Sequence, residues 1–117
     1  KIIYKKELID KMIDENNIRM LPLQFTQGIT FVNEFIILDE AQNCTKEQLK
    51  MVMTRLGKTS TLVITGDPHQ IQLKNKIDSG LQKLINLENK VKNLGVVTLK
   101  DNHRDPIVEE IIKLYDL

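Results

Sequence analysis

The chain has 117 residues, a formal net charge of +1, 41% hydrophobic residues and 28% charged residues, which is typical of one globular domain with a modest core. This balance argues against a strongly basic nucleic-acid binder and against an acidic tail. The single cysteine, Cys44, excludes an internal disulfide and favours a reducing, cytoplasmic setting. No apolar run approaches the ~20 residues that a membrane-spanning helix requires.

The N-terminal part of the sequence predicts a helix, a strand and a loop. Apolar residues within 4–15 recur at helical spacing, which indicates an amphipathic helix. Residues 18–23 are apolar enough for a strand, although Pro22 would interrupt its hydrogen bonding. Residues 24–33 are expected to form a loop around Gly28. These elements precede the part of the chain that carries the chemical motifs.

Two continuous apolar runs predict buried strands on either side of a helix. Residues 35–38 and 61–65 lack the polar alternation of a half-exposed strand, so both are expected to be covered on both faces. Between them, Thr45 and Gln48 have the spacing of a capping box, which starts a helix. Gly57 is a plausible end of that helix.

The C-terminal part of the sequence continues this alternation. Residues 79–82 repeat the capping-box spacing and open a helix expected to reach about residue 92, before a third buried strand at 96–99. Asp105 and Pro106 are typical of a helix start. Three residues of this last helix are expected to face the core: Ile107, Ile111 and Leu114.

The alternation of strands and helices predicts a single α/β domain over residues 1–117, with a mostly parallel sheet in a three-layer arrangement. In such sheets, ligands bind beyond the carboxyl ends of the strands. Asp39 and Glu40 directly follow the first buried strand, and Gly66 and Asp67 follow the second. Arg104 follows the third. We therefore expect the acidic residues to converge at one edge of the sheet.

This set of side chains suits phosphoryl transfer, in which negative charge develops on the transferred group. Asp39 is placed to bind Mg²⁺, through a water molecule, and Glu40 to polarise an attacking water. Gln70 would orient that water or contact the terminal phosphate, and Arg104 would stabilise the developing charge. An alternative is a metal-dependent nuclease that uses Asp39, Glu40 and Asp67.

Three segments of the sequence resemble the PhoH-like proteins, which are P-loop ATPases related to superfamily-one helicases. The segments are FIILDEAQNCTKEQLKMVMTRLG (35–57), VITGDPHQIQL (63–73) and SGLQKLI (79–85). The resemblance runs from about residue 18 to the end of the chain. It implies a partial P-loop NTPase fold of the RecA and helicase type, with ATP and Mg²⁺ as cofactors.

The resemblance also implies a role for each motif residue. Asp39 and Glu40 resemble a Walker B pair, in which Asp39 supports the metal and Glu40 the attacking water. Gly66 and Asp67, together with Gln70, resemble the helicase GD-x-x-Q motif, which senses the terminal phosphate. On this reading Asp39, Gly66 and Asp67 bind the cofactor, and Glu40 and Gln70 are catalytic.

The third match, at residues 102–104, is to the Asn-Tyr-Arg segment of superfamily-one helicases, with His103 in the tyrosine position and Arg104 as the phosphate-contacting arginine. Two features depart from the family. Residues 26–30 lack the arginines that often flank Gly28. No G-x-x-x-x-G-K-[ST] cradle for phosphates is present, because residues 57–59 (Gly-Lys-Thr) lack the first glycine and follow a helix.

We therefore expect the chain to be the C-terminal part of an ATPase domain whose P-loop strand lies upstream. On its own, this chain would bind ATP poorly and hydrolyse none. Removal of that central strand would leave a hole or exposed strand edges, so that rearranged strands, dimerisation or domain swapping are expected. The resemblance further implies RNA or DNA as partners, homo-oligomers and a link to phosphate starvation. The lack of a long apolar run predicts no membrane association. An alternative with the same fold is a stand-alone, non-catalytic interaction or regulatory module.

Overall fold

The computed structural model describes residues 4–101 and 103–116, and their arrangement is α/β. The chain divides into two compact units, the first ending at Asn86 and the second beginning at Leu87. Asn102, the asparagine of the third family match, lies outside the described residues.

Within the first unit, residues 4–86 form three α-helices, two strands and three short 3-10 helices. The α-helices are α1 (Lys6–Asp14), α2 (Lys46–Met53) and α3 (Leu81–Ile85). The strands are β1 (Phe35–Leu38) and β2 (Thr61–Ile64). The 3-10 helices are Leu23–Thr26, Ala41–Asn43 and Lys76–Asp78. In the second unit, the described residues include one helix, α4 (Pro106–Tyr115).

The two strands form a parallel sheet, connected through α2. Phe35 pairs with Thr61, and the register continues to Leu38 and Ile64. The pairing extends one residue further at the carboxyl end, because Thr65 N donates a hydrogen bond to Leu38 O at 2.9 Å. The predicted parallel β-α-β order is thus confirmed for these elements, and it places the ends of both strands at the same edge.

Two other predicted strands were wrong. Within the described part of the chain, neither residues 18–23 nor residues 96–99 form a strand, and the sheet has two strands rather than three. Leu23 instead begins a 3-10 helix. Val97 and Leu99 are 85% and 89% exposed, so this apolar run is not a buried strand. The expected three-layer sheet is accordingly not formed by residues 4–101 and 103–116.

The core lies on one side of the sheet. Its buried apolar side chains belong to the segment after β1, to α2 and to α3, with partly buried residues of both strands packed against them. They are Ala41, Cys44, Leu49 and Leu81, with Leu38 and Ile64 among the packed residues. Burial raises the pKa of the Cys44 thiol, so the cysteine is held in its neutral form.

The opposite face of the sheet is open in the structure. Phe35 and Ile37 of β1 are 69% and 63% exposed, and Val63 of β2 is also exposed. Strand residues alternate between the two faces of a sheet, so Ile36 and Leu38 turn toward the core side while Phe35 and Ile37 do not. The prediction that both strands are covered on both faces was therefore wrong for this chain.

The predicted capping box at Thr45 is confirmed. Thr45 Oγ1 accepts a hydrogen bond from Gln48 N at 3.2 Å, and Gln48 Oε1 accepts one from Thr45 N at 2.9 Å. Leu49 and Val52 of α2 are buried, as the helical spacing predicts. The helix ends at Met53, before the predicted stop at Gly57.

The second predicted capping box does not form. Ser79 Oγ donates to the carbonyl oxygen of Gln42 at 2.7 Å, so the hydroxyl is engaged outside α3. Gly80 is the N-cap and provides no side-chain cap. A Cβ at Gly80 would lie 3.0 Å from Lys46 Cα, which shows how closely the start of α3 approaches α2. α3 also ends at Ile85, well before the predicted residue 92.

The helix start predicted at Asp105 and Pro106 is confirmed, because Asp105 Oδ1 accepts a hydrogen bond from Ile107 N at 3.0 Å and Pro106 occupies the first turn. The predicted core face of α4 was wrong, since Ile107, Ile111 and Leu114 are 60%, 54% and 66% exposed.

Among the described residues, no helix is both long and apolar enough to cross a membrane.

Candidate functional site

The carboxyl ends of β1 and β2 are joined by their side chains. Thr65, which follows β2, donates from Oγ1 to Asp39 Oδ1 at 2.6 Å. The same oxygen accepts a hydrogen bond from Glu40 N at 3.0 Å. Asp39 is therefore fixed at the sheet edge by its neighbour in sequence and by the adjacent strand.

These two hydrogen bonds lower the pKa of the Asp39 carboxyl below its ordinary value of 3.8, the Thr65 hydroxyl contributing most and the Glu40 amide next. Hydrogen bonds to a carboxylate stabilise its charged form. Asp39 is consequently ionised throughout the neutral range, which is the state that metal binding requires.

Glu40 follows in a left-handed backbone conformation, with φ 54° and ψ 39°. Non-glycine residues adopt this conformation uncommonly, at a cost on the order of 1 kcal/mol. The turn ends the strand and starts the 3-10 helix Ala41–Asn43, whose first amide, Ala41 N, donates to Thr65 O at 2.9 Å. The bend thus brings the residues after β1 over the end of β2.

Gln42 is a residue of the candidate site that the sequence motifs did not single out. Its side chain is 1% exposed and bridges the two strand ends. Gln42 Nε2 donates to Glu40 Oε2 at 2.5 Å, and Gln42 Oε1 accepts from Asp67 N at 3.1 Å. The signal available in the sequence was an amide side chain two residues beyond the carboxylate pair, within DEAQN.

The turn after β2 is organised by its own side chains and by the 3-10 helix. Asp67 Oδ1 accepts from His69 N at 2.9 Å, and Asp67 O accepts from Gln70 N at 3.0 Å. Asn43 Oδ1 accepts from Gln72 N at 2.8 Å, which ties the end of the turn to the segment after β1. Residues 66–72 are therefore held against residues 39–43 by two hydrogen bonds, one from Asp67 N and one from Gln72 N.

Gly66 lies at a close approach between the two segments. A Cβ at this position would be 2.7 Å from Gln42 Oε1, 2.9 Å from Leu81 Cδ2 and 3.1 Å from Gln42 N. With a larger residue at this position, the Gln42 amide, the Leu81 side chain or the turn itself would have to shift. The close approach gives a structural reason for glycine at this point of the motif.

The structure thus brings Asp39, Glu40, Gly66 and Asp67 together at one sheet edge, with Gln70 on the same turn. Arg104 belongs to the second unit, directly before the Asp105 cap of α4. The chemical roles assigned to these residues remain predictions.

The geometry of Asp39 fits a carboxylate that supports a metal ion through water. Among the described residues, its hydrogen bonds all fall on Oδ1, which leaves Oδ2 to face a hydrated cation. No group of three or more His, Cys, Asp or Glu side chains disposed to hold a metal occurs in residues 4–101 and 103–116. In particular, Asp39, Glu40 and Asp67 do not form the carboxylate cluster of the nuclease alternative.

The Gly57-Lys58-Thr59 segment serves the loop after α2. Gly57 N donates to Phe31 O at 2.7 Å, and a Cβ at Gly57 would lie 2.5 Å from that oxygen. Thr59 is in a left-handed turn. These contacts hold Phe31 against the end of α2, which agrees with the sequence-based rejection of this segment as a phosphate cradle.

A separate cavity of about 870 Å³ lies beside β1, within the first unit. It is lined mainly by apolar side chains of β1, of the 3-10 helix at 23–26 and of residues 17–21. Arg19, at its rim, forms an ion pair with Glu34 at 2.5 Å. The cavity reaches Asp39, but Glu40, Asp67 and Gln70 do not line it.

The family model for the PhoH-like protein matches residues 1–116. The chain belongs to the PhoH-like family. A PhoH-like protein of Synechocystis is 39% identical over 112 residues, which are 94% of this chain and 34% of the relative. A PhoH-like protein of Mycobacterium tuberculosis is 40% identical over 111 residues, 93% of this chain and 32% of the relative.

Protein PhoH of Escherichia coli K12 matches a shorter part of the chain. It is 38% identical over 80 residues, which are 68% of this chain and 23% of the relative. This PhoH-like chain therefore spans about a third of the length of the Synechocystis and Mycobacterium tuberculosis relatives. The sequence-based recognition of the family is confirmed.

Proposed function

We propose that this PhoH-like segment is the Walker B and sensor half of an ATP-hydrolysing protein. The observation that carries the proposal is the junction of the two strand ends, where Thr65 bonds to Asp39 and Gln42 bonds to Asp67. Ligands of α/β sheets bind beyond the carboxyl ends of the parallel strands, and carboxylates at that edge suit the Mg²⁺ that accompanies nucleotide phosphates.

In this proposal the residues of the chain have distinct tasks toward ATP and Mg²⁺. Ionised Asp39 supports the metal through water, and Glu40 withdraws a proton from the attacking water. Gln70, with Gly66 and Asp67 holding its turn, contacts the terminal phosphate. Arg104 stabilises the charge that develops on the phosphoryl oxygens, in its own or in a neighbouring subunit.

The same proposal includes partners and a limit. RNA or DNA would be the polymer on which the complete protein acts, and homo-oligomers would bring neighbouring subunits to the nucleotide. This chain contains no G-x-x-x-x-G-K-[ST] segment. In P-loop proteins, the backbone amides of that segment wrap the phosphates. The 117-residue chain alone is therefore expected to bind Mg-ATP poorly and to be inactive.

The proposal is tested with the complete protein encoded by the gene that contains this segment. We expect it to hydrolyse ATP, and Glu40→Gln to lower kcat by about 10²–10⁴-fold while nucleotide binding is retained, because general-base catalysis contributes roughly that factor. Glu47→Gln, on the exposed surface of α2, is the control. ATP hydrolysis that is unchanged by Glu40→Gln would contradict the assignment.

The alternative function, a non-catalytic interaction or regulatory module, makes the opposite prediction for ATP hydrolysis by the complete protein. Isothermal titration of the 117-residue chain with Mg-ATP should give no micromolar affinity on the fragment proposal. Micromolar binding by this chain alone would show that it forms a complete nucleotide site without a P-loop. Absence of ATP hydrolysis by the complete protein would instead favour the module.

A further inference from the structure

The Gln42 side chain is a buried polar group to which the family roles assign no task. It is among the largest fully buried side chains of the described residues, with 1% of its surface exposed. A buried amide needs hydrogen-bond partners at both ends. Its Nε2 donates to Glu40 Oε2 at 2.5 Å and its Oε1 accepts from Asp67 N at 3.1 Å.

The partners of the amide allow only one orientation of its oxygen and nitrogen. Asp67 offers an N–H donor, so it requires the amide oxygen, whereas the Glu40 carboxylate is an acceptor and requires the amide nitrogen. A flipped amide would place two donors face to face at Asp67 and two acceptors face to face at Glu40. Each contact therefore helps to fix the other.

The backbone of Gln42 is also held by a hydrogen bond, which anchors the base of the side chain that connects Glu40 to Asp67. Gln42 O accepts the hydrogen bond from the buried Ser79 hydroxyl at 2.7 Å. Gly66 lies directly against the amide, with room for no more than a hydrogen atom at its Cα. Displacement of the amide toward Gly66 would therefore press on the turn at 66–70.

We propose that Gln42 is a positioning residue that couples the Glu40 carboxylate to the sensor turn. This inference rests on the proposed function, since it concerns the residues that would activate water and contact the terminal phosphate. Asp67 N bonds to the amide and Asp67 O bonds to Gln70 N at 3.0 Å. A change at Glu40 is transmitted through Gln42 and Asp67 to the backbone of Gln70.

The coupling is measurable in the 117-residue chain without nucleotide, by amide hydrogen exchange of Asp67 N–H using NMR. Glu40→Ala removes the acceptor for Gln42 Nε2 and does not touch Asp67. We expect protection of Asp67 N–H to fall about three- to tenfold, because the amide is no longer held at its far end. Thr65 N–H, bonded to Leu38 O, reports sheet stability and should stay unchanged.

Rescue distinguishes coupling from a general loss of structure. Glu40→Gln retains an oxygen that accepts from Gln42 Nε2, so it should keep the protection of Asp67 N–H. Glu47→Ala, on the exposed surface of α2, is the matched control and should have no effect. The inference is overturned if Asp67 N–H protection is the same in Glu40→Ala as in the unsubstituted chain. It is also overturned if Glu40→Gln loses as much protection as Glu40→Ala.

Failure of this inference and failure of the proposed function are separable. Amide exchange in the 117-residue chain tests only the connection from Glu40 to Asp67. ATP hydrolysis by the complete protein tests the catalytic assignment of Glu40. Exchange that follows the predicted pattern in a protein without ATPase activity would retain the coupling and reject the catalytic role.

Discussion

The pKa of Asp39 is lowered by two hydrogen-bond donors, the Thr65 hydroxyl and the Glu40 amide. The Thr65 hydroxyl contributes more, and it can be removed without a change in side-chain shape. Thr65→Val replaces the hydroxyl by a methyl group of similar size. We expect the Asp39 pKa to rise toward its ordinary value of 3.8, while the Glu40 amide still holds it somewhat below. The measurement is a pH titration of the Asp39 carboxyl carbon by NMR.

The control for this substitution is Thr61→Val, at the opposite end of β2, which should leave the Asp39 titration unchanged. The pH dependence of stability follows from the same shift. Because the folded-state pKa lies below the unfolded value, ionised Asp39 favours the folded state above that unfolded value. This contribution is lost as the pH falls through the lowered folded-state pKa. An identical Asp39 titration in Thr65→Val would contradict the assigned cause.

The positions of single site residues were predictable where those residues follow the end of a strand. Asp39, Glu40 and Asp67 directly follow apolar runs, so their positions at the sheet edge could be inferred from the sequence. Gln42 could not be inferred in the same way, because its burial depends on the left-handed turn at Glu40. That turn directs the amide inward, and no spacing rule applied to the sequence anticipates it.

At the scale of elements, helix starts were predicted well only where the capping side chain had no competing partner. Thr45 and Asp105 cap α2 and α4 as expected. Ser79 has the same spacing to Gln82, but its hydroxyl bonds to Gln42 O, across a sequence separation that local patterns do not contain. The strand predictions at 18–23 and 96–99 were wrong for a related reason. Among the described residues, these apolar runs have no neighbouring strand with which to pair.

The Thr45 capping box should stabilise the first unit through the start of α2. Thr45→Ala removes the acceptor for Gln48 N and should lower the free energy of unfolding by about 1 kcal/mol. Denaturant unfolding followed by circular dichroism measures this change. Thr45→Ser keeps the hydroxyl and should lose much less. Equal stability of Thr45→Ala and the unsubstituted chain would show that the box contributes little to the helix.

At the scale of the whole molecule, the uncovered sheet face is the main departure from the predicted architecture. Phe35 and Ile37 are mostly exposed although they belong to a continuous apolar run. A contiguous apolar patch of this kind typically marks a surface that becomes covered by protein. Sequence periodicity predicts that such strands are buried, but it cannot tell which polypeptide segment covers them.

The 117-residue chain should consequently self-associate through this face. We expect sedimentation velocity to show a concentration-dependent oligomer. The double variant Phe35→Thr and Ile37→Thr should weaken association by about tenfold or more, because each buried apolar side chain contributes roughly 1.5–3 kcal/mol. Met20→Thr is the control, since this residue is exposed outside the sheet. A chain that stays monomeric at all concentrations would contradict the prediction.

The central claim is that the joined ends of β1 and β2 receive the terminal phosphate of ATP. The most direct measurement is a crystal structure of the complete protein with Mg²⁺ and a nonhydrolysable ATP analogue. We expect a metal-bound water beside Asp39 Oδ2, and the terminal phosphate within ~3 Å of the Gln70 side chain. A terminal phosphate bound in the cavity beside β1, or elsewhere away from the 66–70 turn, would contradict it.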